Sequence, residues 1–177
     1  MHHIQFTIFL LHAALCMLFS HVMAQDRGEW PIFRGDYQLR GNTNAAIEPP
    51  LKLAWTYEAS DAIKSAPVSG HDMIYVGCVD GTMHAVDLRG NGAWHFETDN
   101  GIEAPALYRD GTVYFGNLSG HFYALNAEDG DMRWMYEAEN QIMGSANLFE
   151  QDDAVRIIFG SYDYYLHCVD ATRGQVL

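Results

Sequence analysis

From residue 67 onward, short apolar runs alternate with polar turns at a regular spacing. Residues 73–79 (MIYVGCV) are almost wholly apolar, as expected of a strand buried on both faces. Asp80-Gly81 then gives a hairpin signal, because glycine accepts positive φ without steric cost. Residues 82–87 return, a second turn falls at 90–92, and residues 93–98 form an outer strand. The unit recurs with strands at 112–117, 121–126 and 132–137, and again at 155–161 and 165–170. A brief segment at 67–69 leads into the first copy. After Ala24 no segment carries a 3.6-residue apolar period, so the pattern predicts an all-β chain with minimal helix.

The alternation is an internal repeat. Gly77, Gly116 and Gly160 are spaced by 39 and then 44 residues. AVDLRGNGAW from Ala85, ALNAEDGDMRW from Ala124 and CVDATRGQVL from Cys168 are copies of one another, and the first two end on tryptophan. Each is preceded by a second shared block: YVGCVDGTMH from Tyr75, YFGNLSGHFY from Tyr114 and FGSYDYYLH from Phe159. A fixed period in this range marks a repeat architecture.

The repeated positions have packing chemistry. Ala85, Ala124 and Cys168 are small, which permits close approach of a neighbouring sheet. Asp87, Asn126 and Asp170 stand where an Asx side chain bonds backbone amides two residues on. Gly90, Gly130 and Gly174 suit the left-handed conformation that closes such a turn. Trp55, Trp94 and Trp134 offer large apolar area with one N–H donor, suited to sealing adjacent units. A lone four-stranded unit leaves its faces bare, so such units must stack.

The run small-x-Asp-x-x-x-Gly-x-x-x-Trp resembles the tryptophan-docking motif of pyrroloquinoline quinone (PQQ)-like β-propeller repeats, over residues 51–177. Trp30-Pro31-x-Phe33-Arg34-Gly35 is similar to the segment that precedes the propeller in exported members. Asn126 in place of Asp, Tyr164 in place of the hairpin glycine, and a first motif one residue short depart from the pattern at turns only. The resemblance implies a partial propeller of about three four-stranded antiparallel blades from a longer closed ring, since propellers close with roughly four to eight blades. The spacing from Gly90 to Trp94 and from Gly130 to Trp134 predicts a tryptophan directly after Leu177. Residues 51–59, carrying Trp55, are expected to be the outer strand of a blade whose inner strands lie further on.

Residues 4–19 form an apolar run, and Val22-Met23-Ala24 places small residues before Gln25. Residues 1–24 therefore read as an export signal, residues 25–50 as a lead-in and residues 51–177 as the repeats. Leu15 before Cys16 argues against a lipidation site. The expected location is periplasmic or secreted, with no membrane insertion after cleavage. All 10 basic and 23 acidic residues follow Ala24, giving a net charge of −13, which opposes nucleic-acid binding.

Candidate chemistry is sparse. Cys78 and Cys168 fall at different repeat positions, which argues against a disulfide. His84 and His167 share a register position and read as packing residues, and no residues have metal-ligand spacing. Glu128-Asp129-Gly130-Asp131 reads as a solvated turn, and the Asn117-Leu118-Ser119 sequon as accidental. Tyr162, Tyr164 and Tyr165 form the densest aromatic patch, a composition that binding surfaces favour. No catalytic residue and no metal ligand is assigned, and cofactor-binding residues are unknown. The expected function is a non-catalytic binding or scaffold module with a protein partner. The alternative implied by the resemblance is a PQQ-dependent oxidoreductase using quinone and calcium.

Overall fold

The computed structural model describes residues 29–43, 46, 48–152 and 154–176; the expected signal and most of the lead-in before Trp30 lie outside them. Three antiparallel sheets follow one another along the chain. The first contains β1 (Val68–Gly70), β2 (Met73–Gly77), β3 (Thr82–Asp87) and β4 (Gly92–Glu97), paired in chain order. The second repeats it with β5 (Leu107–Arg109), β6 (Thr112–Gly116), β7 (His121–Asn126) and β8 (Met132–Glu137). The third has β9 (Asn147–Gln151), β10 (Ala154–Gly160) and β11 (Leu166–Asp170), with a single Val169–Val176 bridge where a fourth strand begins. No helix occurs among the described residues, so none is long and apolar enough to cross a membrane.

β3, β7 and β8 have the predicted bounds, while other strand ends shift by up to two residues. Residues 78–79 leave the ladder because the Cys78 carbonyl accepts from Gly81 N and Ile102 N instead of continuing the strand. Residues 51–59 carry no strand pairing, since no neighbouring strand lies beside them among the described residues.

The core lies between the sheets. One buried cluster joins Tyr75, Met83 and Ala85 of the first sheet to Val113, Phe115 and Leu125 of the second. The next joins Tyr114, Phe122 and Ala124 of the second to Ile157, Phe159 and Val169 of the third. Phe122 and Phe159 stack at 4.0 Å between ring centroids. Each sheet is thus buried by its neighbour, as stacked repeats require.

The lead-in ties the first strands together. Trp30 bridges to Ser69 within β1, and the Pro31 carbonyl accepts from Tyr108 N in β5 at 2.7 Å. Asn147 Nδ2 in β9 donates to the Tyr37 carbonyl at 3.3 Å, and Ile32 is fully buried between the second and third sheets.

Candidate functional site

The repeat motif builds joints, and the joints decide what is left exposed. Asp87 Oδ1 accepts from Arg89 N at 2.8 Å, and Asp170 Oδ1 accepts from Thr172 N at 3.0 Å, the Asx turns read from the sequence. Gly90, Gly130 and Gly174 follow with φ of 89°, 81° and 67°. A tryptophan from the preceding segment lies flat on each of these glycines. A Cβ on Gly90 would stand 2.7 Å from Trp55, one on Gly130 2.7 Å from Trp94, and one on Gly174 would collide with Trp134. The three indole N–H groups donate to the carbonyls of Leu88, Ala127 and Ala171, each at 3.0 Å.

Three partners of this joint were not singled out from the sequence. Tyr75 and Tyr114 hydroxyls donate to the same Ala127 and Ala171 carbonyls, each at 3.3 Å, doubling the indole contact. The aromatic residue two places after each tryptophan meets the residue before the small position of the next sheet. These pairs are Tyr57 with His84, Phe96 with Tyr123 and Tyr136 with His167, at centroid distances of 5.7, 5.7 and 5.4 Å. Ile102 and Ile142 occupy the space that a side chain on Gly77 or Gly116 would need. All three recur at constant intervals in the copies, and that was the available signal.

The histidines are therefore joint residues. The Tyr57 hydroxyl lies 3.1 Å from His84 Nδ1 and Ser60 Oγ 3.0 Å from Nε2, so a neutral ring accepts on one side and donates on the other. Burial holds the His84 pKa below its ordinary value of 6.5. Cys78 and Cys168 are free thiols on different sheets, and among the described residues no group of three or more His, Cys, Asp or Glu is placed to hold a metal ion.

The third hairpin is different. Tyr164 occupies the place of Gly81 and Gly120 and takes the same left-handed backbone, with φ of 76° against 93° and 91°. A bulky residue there is a steric outlier. The residue is 99% exposed, flanked by exposed Tyr162 and Tyr165.

Asp163 anchors that turn. Its carboxylate accepts from Tyr165 N at 3.0 Å, Glu139 N at 3.2 Å and His167 Nε2 at 2.9 Å, while Tyr136 Oη lies 2.9 Å from His167 Nδ1. Burial opposes ionisation of Asp163, but the Tyr165 amide, His167 and the Glu139 amide outweigh it and hold the carboxyl below the usual range. Tyr162 N donates to the Gln141 carbonyl at 2.9 Å. Sequence reading located the aromatic patch, and the structure places it on a turn that Asp163 braces.

Two four-stranded antiparallel sheets and a third of three strands, joined in series by indoles seated on turn glycines, define a PQQ-like β-propeller repeat protein, here as a partial, unclosed ring. Residues 40–177 match the family described as outer membrane protein assembly factor BamB, and the chain belongs to that family. BamB from Moraxella catarrhalis superposes with a TM-score of 0.61 at 25% identity, covering 71% of this chain and 40% of that one. Quinohemoprotein alcohol dehydrogenase from Comamonas testosteroni gives 0.72 at 23% identity, covering 89% of this chain and 28% of that one, a likeness of fold alone. The lambda-carrageenase of Pseudoalteromonas carrageenovora is 24% identical over 141 residues, 76% of this chain but 15% of the relative. These matches carry unlike names, an assembly factor, an alcohol dehydrogenase and a carrageenase, so the site must argue the function.

Proposed function

We propose that this chain is an exported, non-catalytic binding module of the bacterial periplasm that presents the tyrosine tip of its third sheet to a protein partner. The carrying observation is Tyr164, fully exposed in a backbone conformation its sister turns give to glycine. Holding a bulky residue there costs about 1–3 kcal/mol relative to glycine, and such strain clusters at ligand contacts. Tyrosine suits a protein partner, because it supplies rigid area and a hydroxyl at low entropic cost. Membership in a family described as an outer membrane protein assembly factor supports the same class of role. The reading of residues 1–24 as an export signal supports the location.

Tyr164→Gly separates binding from folding. The variant is expected to melt at a higher temperature than the parent, because strain is removed. A photo-crosslinking residue at position 164 is expected to capture a defined envelope protein in cells, and Tyr164→Gly to lose affinity for that purified protein by about tenfold or more, the scale of an interface aromatic. Unchanged affinity in the stabilised variant would overturn the proposal. Quinone-dependent dye reduction from alcohols after adding PQQ and Ca²⁺ would instead support an oxidoreductase.

A further inference from the structure

The Trp30-Pro31-x-Phe33-Arg34-Gly35 run is built into the fold at a place the joints do not use. β1 and β5 each pair on one side only, with β2 and β6, so each keeps a free edge. The two edges converge, since the Tyr108 ring of β5 lies where a side chain on Gly70 of β1 would stand. Free edges present backbone donors and acceptors that recruit a further strand. Here the lead-in meets them. Trp30 O accepts from Ser69 N of β1 at 2.8 Å, and Trp30 N donates to Ser69 Oγ at 2.8 Å. The next carbonyl, that of Pro31, accepts from Tyr108 N of β5 at 2.7 Å, so two successive carbonyls serve two sheets.

The residue types suit that task. A residue before proline is held extended, and proline itself has no N–H to leave unpaired. Ile32 follows, fully buried in one cluster with Leu107 of the second sheet and Ile157 of the third. The Tyr37 carbonyl then accepts from Asn147 Nδ2 of β9 at 3.3 Å, and its hydroxyl donates to Tyr108 O at 3.4 Å. The segment is also folded on itself. Arg34 and Gly35 turn the chain with φ of 68° and 85°, and Gly41 N donates to Arg34 O at 2.9 Å. The Trp30 ring lies on Gly35, where a Cβ would come within 2.8 Å of it. Arg40 Nε closes the loop on Asp36 Oδ2 at 2.7 Å.

We propose that the convergent edges of β1 and β5, together with Asn147 of β9, form a peptide-binding site of the strand-addition kind, and that residues 29–41 are its resident occupant. The chemistry recognised is an extended aromatic-proline-aliphatic segment. Its first two carbonyls bond the sheet edges, and its aliphatic side chain fills the cleft between the second and third sheets. Backbone bonds give such a site its affinity, and the buried side chain gives it selectivity. Every group involved belongs to β1, β5, β9, the core beneath them or the lead-in. A tethered occupant acts at an effective concentration of about a millimolar, so it excludes free segments of like chemistry from this edge.

The test is fluorescence anisotropy with a labelled synthetic peptide of residues 29–42, titrated with the full chain and with Ile32→Asp, whose buried charge dislodges the lead-in. The variant is expected to bind the peptide at micromolar concentration. The parent is expected to bind it at least about tenfold more weakly, because its own segment holds the site. A peptide carrying the same Ile32→Asp change is expected not to bind. Hydrogen exchange supplies a second readout: the Ser69 and Tyr108 amides are protected in the parent, exposed in the variant and protected again once the peptide is added. Loss of protection along the β6–β7 ladder would show general unfolding, and Trp30→Ala then replaces Ile32→Asp. Equal binding to parent and variant would overturn the proposal, because the lead-in would not then occupy the edge. Absence of binding to a folded, dislodged chain would overturn it as well, and so would Ser69 and Tyr108 amides that stay protected in both variants.

Discussion

At the residue scale, the chain uses glycine in two unlike ways. Gly130 supplies a left-handed turn at φ of 81° and also the flat surface on which Trp94 lies. Gly116 has an ordinary backbone, and its value is the absence of a side chain beneath Ile142. Gly160 holds the same register over open space. Gly116→Ala is therefore expected to destabilise by about 1–3 kcal/mol, the range for overpacking a filled core. Gly160→Ala is expected to change stability by less than about 0.5 kcal/mol in this chain, as at open surface sites. Urea melts of the two variants check this, and equal losses would show that glycine is required there for backbone reasons. The turn glycines were legible because Asx and tryptophan flank them at fixed spacing. The role of Gly77 and Gly116 was not, because the residue that covers each comes 25 or 26 positions later, across a joint the sequence does not display.

At the element scale, the strands follow from alternation and turn chemistry, and the joints between sheets follow from paired side chains. β7 and β8 were readable residue for residue, because each is bounded by an Asx, Ser or Gly turn. Residues 51–59 show the limit of local reading. They have a strand's sequence and seat Trp55 and Tyr57 on the first sheet, but a strand needs a neighbour to complete its ladder. His84 and His167 were recognisable as packing residues, whereas their tyrosine partners emerge only when sheets stack.

The joint pairs also set a pH response. His84 folds as the neutral ring, with its pKa below 6.5, so the unfolded chain takes up a proton first as pH falls. Its contribution is complete above about 6.5 and declines as pH drops below that value. The second sheet shows a substitute, since Phe96 and Tyr123 occupy the same two positions. Tyr57→Phe with His84→Tyr is expected to fold with near-parent stability at pH 8 and to lose the melting-temperature decline between pH 7 and 5 attributable to His84. Thermal melts across that range check it, and an unaltered pH profile in the double variant would contradict the assignment.

At the scale of the whole molecule, each sheet is stable only in so far as its neighbour covers it, and stability adds through nearest-neighbour joints. The family and propeller class were legible because the motif repeats. The central claim is that one sheet's indole, seated on the next sheet's turn glycine, is what couples them. A double-mutant cycle of Trp94→Ala and Gly130→Ala, read by urea denaturation, tests it most directly. Trp94→Ala alone is expected to cost about 3 kcal/mol, the range for truncating a packed aromatic. Gly130→Ala alone is expected to cost about 2 kcal/mol from left-handed strain and from collision with the ring. In the Trp94→Ala background the collision disappears, so the two losses are predicted to fall short of additivity by about 1 kcal/mol or more. Strict additivity would contradict the account, because it would mean that the indole and the turn glycine do not meet.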